Sequence, residues 1–413
     1  MRTINPDRVL GDLKYLRTIG AYKTGVHRPT LSKEDVFVRQ WLVDRMREAS
    51  LNARIDGIGN ILGMSDVTGR IMLAGSHIET QNRAGWLDGA LGVIYALETA
   101  RAVREDSSLH GIGVDVAVFC DEEGHFGSFL GSRSFIGELD EAEIDHAKHV
   151  SLGTPLREAL GAAGYGGRPR LVMDPSRYVG FFEAHIEQGA VLETSGNRIG
   201  VVSAIVGFWQ YEITVEGEQN HAGTTPMGLR RDAGLALVRL LNAIDVRFHA
   251  LAGPRTVWTT GKISLDPGAR SIIPGRAEAL FQIRDTEIAI LESLENALHA
   301  LVKEANAAGP CALSVVRVSA SQPAQMDERF IKVLATVAQQ EAPGRFIHMP
   351  SGAAHDAQFI ARKLPTAMMF VPSIRGISHH WSEDTSDEDI VLGAKVFANA
   401  IVLALKTSCV DPR

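Results

Sequence analysis

Aromatic side chains are scarce in this sequence: Phe, Trp and Tyr together make up 6% of its 413 residues. That leaves little material for a platform on which nucleic-acid bases could stack. Basic runs are also missing. Lys+Arg is 42 against Asp+Glu 49, a formal net charge of −7, and no block of Lys and Arg stands anywhere along the chain. A mildly acidic chain of this kind is a poor binder of polyanions, so no nucleic-acid partner is expected. Cysteine is almost absent. Cys120, Cys311 and Cys409 are widely separated, which gives neither a disulfide framework nor a CxxC metal knuckle. No uninterrupted apolar run reaches about 18 residues, so no membrane span is expected. The opening MRTINPDRVLGDLKYLRT lacks the apolar core of a signal peptide. A soluble, cytoplasmic protein is the resulting expectation.

The residues that are present suit a folded chain. Hydrophobic residues are 45% and charged residues 22% of the total, near globular averages, which excludes a disordered polymer. A single core stops growing at roughly 250–300 residues, so two domains are expected. Residues 34–49 have helical spacing through Val36, Val38, Trp41, Leu42 and Met46. Short β-like runs follow at 53–62 and 70–76, then a helix near 89–103 and a strand at 114–120. This alternation is that of an α/β sheet with parallel pairing. The style returns late, with a strand at 366–371 and a long helix at 385–406 whose start is acidic. The middle differs. Strands at 208–216, 257–265, 277–284 and 312–319 interleave with helices at 231–248 and 287–307. The order β-α-β-β-α-β is that of a small ferredoxin-like unit. Residues 208–321 are therefore expected to form an inserted α+β domain, and residues 1–207 with 322–413 a larger α/β domain.

Residue types that bind metals stand where strands or helices should end: His77 in GSHIETQ, Asp88 in WLDG, Glu122 and Glu123 in CDEEG, and His185 in AHIEQG. Ligands of open α/β sheets collect beyond the carboxyl ends of the strands. A mixture of imidazole and carboxylate suits Zn²⁺ or Mn²⁺ better than Ca²⁺. Taken singly, each residue has an ordinary alternative: Asp88 as a helix N-cap, the paired Glu122 and Glu123 as solvated loop charge, His77 as an exposed strand-end histidine.

The stretches GSHIETQ, WLDGALGV, CDEEG, SFLGSRSF, AHIEQG, IGVVSAIVG, NHAGTTPMGLRRDA, SIIPG, SGAAHDA and GISHHWSED, in this order, resemble the M20-type metallo-amidohydrolases. The resemblance is stronger to the branch of N-carbamoyl-L-amino-acid hydrolases, β-ureidopropionases and allantoate amidohydrolases. It covers almost the whole chain, inserted domain included. It implies a metallopeptidase-like catalytic domain, with a mixed sheet flanked by helices, and an inserted ferredoxin-like lid through which the chain forms a homodimer. It also implies two divalent cations per subunit (Zn, or Mn, Co or Ni). His77 and His185 would hold one, Glu123 and His379 the other, and Asp88 both. His379 is chosen over His380 because the family's ligand directly follows Ser. Glu122 matches the general base, which takes a proton from the water between the metals and returns it to the leaving nitrogen. Gln188 matches a substrate contact. In the inserted domain the family pattern places a His and an Asn that bind substrate and its tetrahedral intermediate, and an Arg that binds its carboxylate; these fall on His221, Ser271 and Arg284.

The chain also departs from the family pattern. Glu79 stands where the family has an Asp that supports the first imidazole, so a carboxylate–histidine–metal link would need shifted geometry. Ser271 replaces Asn. Ala354 replaces the Gly before His355 in SGAAHDA, where substrate is expected to approach. The loop after Glu123 is short and lacks an Arg. The expected reaction is cleavage of the C–N bond of an N-carbamoyl amino acid or a related ureido acid, yielding amine, CO₂ and NH₃. Alternatives are allantoate-type hydrolysis, deacylation or peptide cleavage of an N-acyl amino acid, and ligand capture without turnover.

Overall fold

The computed structural model describes residues 4–407. The Cys409 noted above lies outside them. The described chain divides into two compact units, one running to Ser203 and resuming at Gln325, the other spanning Ala204–Ala324.

In the larger unit nine strands form one sheet. Its order is Ala324–Gln325, Ile199–Ile205, Thr366–Val371, Tyr178–Ile186, Arg70–His77, Ile112–Phe119, Ile61–Met64 and Asn52–Ile55, with Phe346–Ser351 paired beside Ile199–Ile205. The four central strands, from Thr366–Val371 to Ile112–Phe119, are parallel, and antiparallel strands flank them on both sides. Central parallel strands are covered on both faces and read as continuous apolar runs; Met72, Leu73, Ala74, Val116 and Val118 are all buried. The helix Ala90–Glu105 packs on Arg70–His77 and Ile112–Phe119, and Asp387–Thr407 packs on it in turn. Asp387–Thr407 is long and apolar enough to cross a membrane, although Lys395 and Asn399 interrupt its apolar runs. Two thirds of its most apolar window is buried inside the structure.

The stretch 53–62 is not the single β run its composition suggests. It forms two antiparallel strands, Asn52–Ile55 and Ile61–Met64. Asp56 accepts the Ile58 and Asn60 N–H groups through one carboxylate oxygen, and Gly59 takes φ +98°, so the chain reverses there.

In the second unit an antiparallel sheet is ordered Val257–Asp266, Arg276–Asp285, Gly207–Glu216, Ala312–Ala320. Its buried side chains, among them Trp209, Tyr211, Ile213, Val215, Phe281 and Ile283, meet the apolar faces of the helices Ala233–His249 and Ile288–Ala308. The opposite face carries Gln210, Gln282 and Arg284 and has no helix from this unit.

Candidate metal centre

The carboxyl ends of the four parallel strands bring the polar residues together. His77 ends Arg70–His77 and is paired in register with Phe119. Phe119 ends its own strand, and Glu122 and Glu123 follow it. His185 lies one residue from the end of Tyr178–Ile186, opposite Phe370. Asp88 sits in the turn before Ala90–Glu105, beside Gly89. Gly89 has φ +69°, and a Cβ there would lie 2.5 Å from the His77 ring. Only glycine accepts both the backbone and the contact.

The two oxygens of Asp88 face different groups. Oδ1 lies 3.3 Å from His185 Nδ1 and 3.7 Å from His77 Nε2. Oδ2 lies 3.2 Å from His379 Nε2, which is itself 3.7 Å from Glu123 Oε2. Two ligand clusters result, His77–Asp88–His185 and Asp88–Glu123–His379, and they share only Asp88. His380 turns away and contacts Ser382 Oγ at 2.8 Å, so of the adjacent pair it is His379 that reaches the cluster. Glu122 Oε2 lies 3.7 Å from His77 Nε2. Three residues that aim these side chains, Asp121, Gln188 and His379, have positive φ (62°, 58° and 54°). Backbone strain of this kind persists only where surrounding contacts enforce it. At Asp121 those contacts are visible, because its buried carboxylate accepts the N–H groups of His125, Phe126 and Gly127. This holds the short loop after Glu123.

The donor set fits divalent cations. His185 is 1% exposed, yet neither ring nitrogen has a hydrogen-bond partner. A buried imidazole that makes no hydrogen bond, and only faces Asp88 at 3.3 Å, is costly unless something else takes its lone pair. His77 Nδ1 lies 3.0 Å from the Glu79 carbonyl oxygen, an acceptor only, so Nδ1 carries the proton and Nε2 presents a lone pair to the cluster. Burial would raise the pKa of Asp88, but His185, His379 and His77 override it and hold Asp88 below the usual carboxylate range. Burial and Asp88 push Glu123 up to about 8. Burial, with Glu123 and Asp356 next, raises Glu122 well above a normal carboxylate. This is a surplus of negative charge that cations relieve.

The Glu79 carboxylate does not support His77; its backbone carbonyl does. The longer side chain leads away, accepting the Arg39 Nη2 donor at 2.7 Å through Oε2 and the Glu122 N–H at 2.7 Å through Oε1. Gln188 donates from Nε2 to Asp88 Oδ2 at 2.9 Å, which places it at the mouth of the second cluster. His355 is 1% exposed, its ring centroid 4.6 Å from that of His185 and tilted 55° to it, and is held through Nε2 by Ser351 Oγ at 2.9 Å. It lies behind a candidate ligand, while the half-buried Ala354 precedes it. In the second unit, His221 and Ser271 come together. His221 pairs with Ile272, and Ala222 N–H donates to the Ser271 carbonyl. The Gly223 and Thr224 N–H groups donate to His221 Nδ1, so its proton sits on Nε2. Arg284 is on another strand, its Nε donating to Gln282 Oε1 and its guanidinium 5.7 Å from the Phe208 ring.

Sequence reading missed the roles of Glu383 and Gln81, both inside quoted motifs. Glu383 is 1% exposed. Its Oε1 accepts the Leu87 and Asp88 N–H groups and its Oε2 the Ser378 hydroxyl, which ties the Asp88 turn to the residue before His379. A Cβ on Gly85 would fall 1.8 Å from that carboxylate. Gln81 donates its backbone N–H to Glu123 Oε1 and its side-chain amide to the Glu123 carbonyl.

The model of peptidase family M20/M25/M40 matches residues 74–402. The chain belongs to this family. Relatives over nearly full length are the allantoate amidohydrolase of Escherichia coli (strain K12), 32% identical over 94% of this chain and 95% of that protein, and the N-carbamoyl-L-amino-acid amidohydrolase of Pseudomonas sp. (strain NS671), 31% identical over 97% and 98%. A solved amidase of the hydantoinase/carbamoylase family from Burkholderia phymatum is similar at 46% identity and a TM-score of 0.92, covering 98% of each chain. The family model begins after both N-terminal helices, so Arg39 lies outside the segment it matches, although the near-full-length relatives extend well beyond that segment.

Proposed function

We propose that the chain is a metal-dependent amidohydrolase that cleaves the ureido C–N bond of an N-carbamoyl amino acid or a related ureido acid. The division of the two Asp88 oxygens between two ligand clusters, with Glu122 beside them, carries this reading. The names of the relatives supply the substrate class.

His77 and His185 would hold one cation, Glu123 and His379 the other, and Asp88 both; Zn²⁺, Mn²⁺, Co²⁺ or Ni²⁺ suits the donors. Such a pair, when bound, polarises the carbonyl under attack and makes water more acidic. Glu122 takes the proton of the attacking water on its carboxylate and delivers it to the leaving nitrogen. Gln188 contacts substrate at the mouth of the second cluster. His221, with its proton on Nε2, donates to the developing oxyanion, a contribution worth roughly 3 kcal/mol, and the Ser271 hydroxyl assists it. Arg284 receives the substrate carboxylate on its planar fork. The sum is R–NH–CO–NH₂ + H₂O → R–NH₂ + CO₂ + NH₃.

Ammonia release from a panel of N-carbamoyl amino acids and allantoate, with release of free amino acid followed for N-acetyl amino acids alongside, tests the reading in the presence of Mn²⁺, Co²⁺ or Zn²⁺. Release from the carbamoyl compounds supports it. Turnover confined to allantoate narrows the substrate to that ureido acid, and turnover confined to the N-acetyl compounds replaces the reading with deacylation.

Arg284→Lys is expected to lower kcat and raise KM on a carbamoyl amino acid, since an ammonium cannot reproduce the bidentate fork. On the corresponding amide, which lacks the carboxylate, variant and wild type are expected to be equally poor. Equal losses on acid and amide would remove Arg284 from the carboxylate site.

The second unit's sheet ends in two edge strands, Val257–Asp266 and Ala312–Ala320. Exposed edges are usually paired or covered, and pairing with a second copy is the proposed solution. Sedimentation at micromolar concentration is expected to give twice the 44.7 kDa chain mass. A species of 44.7 kDa alone would contradict the dimer.

A further inference from the structure

We infer that Arg39, on the helix Lys33–Glu48, is a positioning residue for Glu122, acting through Glu79; this rests on the reading of Glu122 as general base. Arg39 and Glu79 are each 0% exposed. The guanidinium uses three donors in three directions: Nη2 to Glu79 Oε2 at 2.7 Å, Nε to Asp35 Oδ2 at 2.9 Å and Nη1 to the Gly59 carbonyl at 2.8 Å. Two of these lead to the turn that carries Glu122. Glu79 passes the contact on through Oε1, which accepts the Glu122 N–H at 2.7 Å. Gly59 passes it on through its neighbour Asn60, whose Oδ1 accepts the Cys120 N–H at 3.0 Å and whose Nδ2 donates to the Gly131 carbonyl at 3.0 Å. One buried side chain thus holds both ends of the segment Cys120-Asp121-Glu122.

That segment needs holding. Asp121 has φ +62°, a conformation a non-glycine residue keeps only under constraint. The Glu122 N–H follows it directly, and the Glu79 carboxylate fixes that N–H. A side chain two residues after the candidate ligand His77 therefore serves the neighbouring base, while the imidazole takes only its backbone carbonyl. The extra methylene of Glu79, compared with Asp, gives the reach to Arg39 and to Glu122 together.

Arg39→Lys is the test. A lysine keeps the charge, but it offers one compact ammonium on a flexible stem and cannot serve three acceptors laid out on a planar fork. The expected result is a kcat lower by about 10–10²-fold, the effect of roughly 1 Å of misplacement at a reacting group, with KM and metal content near wild type. Independently of activity, amide hydrogen exchange over residues 120–124 is expected to quicken by about tenfold or more. Arg28→Lys is the matched control. Arg28 is equally buried and its side chain donates to the carbonyls of Ile78, Leu16 and Ile19; it feels the charge of Glu79, which a lysine retains, but its hydrogen bonds go to those carbonyls and not to the Glu79 carboxylate or the Cys120–Glu123 turn. It is expected to lower Tm while leaving exchange over 120–124 and kcat per metal-loaded chain unchanged.

Should Arg39→Lys fail to fold, Glu79→Gln reads the same contact. Its amide oxygen is drawn to the guanidinium, which turns its NH₂ toward the Glu122 N–H. Wild-type kcat and wild-type exchange in Arg39→Lys or Glu79→Gln would overturn the inference, as would equal effects in Arg28→Lys. A wild type inert toward every ureido acid, with faster exchange still seen in Arg39→Lys, would refute the proposed activity and support the contact.

Discussion

Replacing Glu122 with Gln is expected to leave both cations bound and to lower kcat by about 10²–10⁴-fold, the usual worth of general acid–base catalysis. Glu122 is not among the five residues of the two ligand clusters, although its Oε2 lies 3.7 Å from His77 Nε2. The amide has the same shape as the carboxylate, and its backbone N–H keeps the Glu79 acceptor, so the turn that carries Glu123 is undisturbed. What is lost is the proton acceptor. Metal analysis of the variant alongside its kcat checks this. A fall in metal content with normal activity per bound metal would make Glu122 a ligand and exchange the roles of Glu122 and Glu123.

Asp88→Ala is expected to abolish binding of both cations, whereas His77→Ala weakens mainly one. Asp88 is the single residue common to the two clusters. It lies 2% exposed among His77, His185 and His379 at 3.2–3.7 Å. Without it, each cluster keeps two protein donors, fewer than a tightly held Zn²⁺ or Mn²⁺ takes from a protein. Two cations per chain in the purified Asp88→Ala variant would refute the shared ligand.

Much of this centre can be read from the sequence because its residues are set by strand ends, where short motifs fall at fixed points of the fold. The helices Lys33–Glu48 and Ala233–His249 are legible because one buried face repeats with a clear period, and the Thr366–Val371 strand because it is one continuous apolar run, buried throughout. The Tyr178–Ile186 strand is harder to read. Glu183 and His185 interrupt its apolar run, and both are buried because they face the site and Ser76. Function thus breaks the apolar run. Charge at 79 and 383 is legible as residue type but not as role. Glu79 suggests a carboxylate behind His77, and only the backbone path shows the carbonyl there and the side chain between Arg39 and Glu122. Glu383 meets Asp88 across 295 residues of chain, a pairing no local pattern encodes. His355 reads as a substrate residue by motif, and only the structure shows its ring packed on His185 just before the helix Asp356–Ile360.

The most direct measurement is a metal titration. Metal-free protein is supplied with Zn²⁺ or Mn²⁺ in steps while ammonia release from an N-carbamoyl amino acid is followed. Two clusters joined by Asp88 around one reacting carbonyl predict that activity climbs to a plateau at two equivalents per chain, and that Asp88→Ala stays inactive throughout. A plateau at one equivalent, with the second adding nothing, would contradict a paired centre.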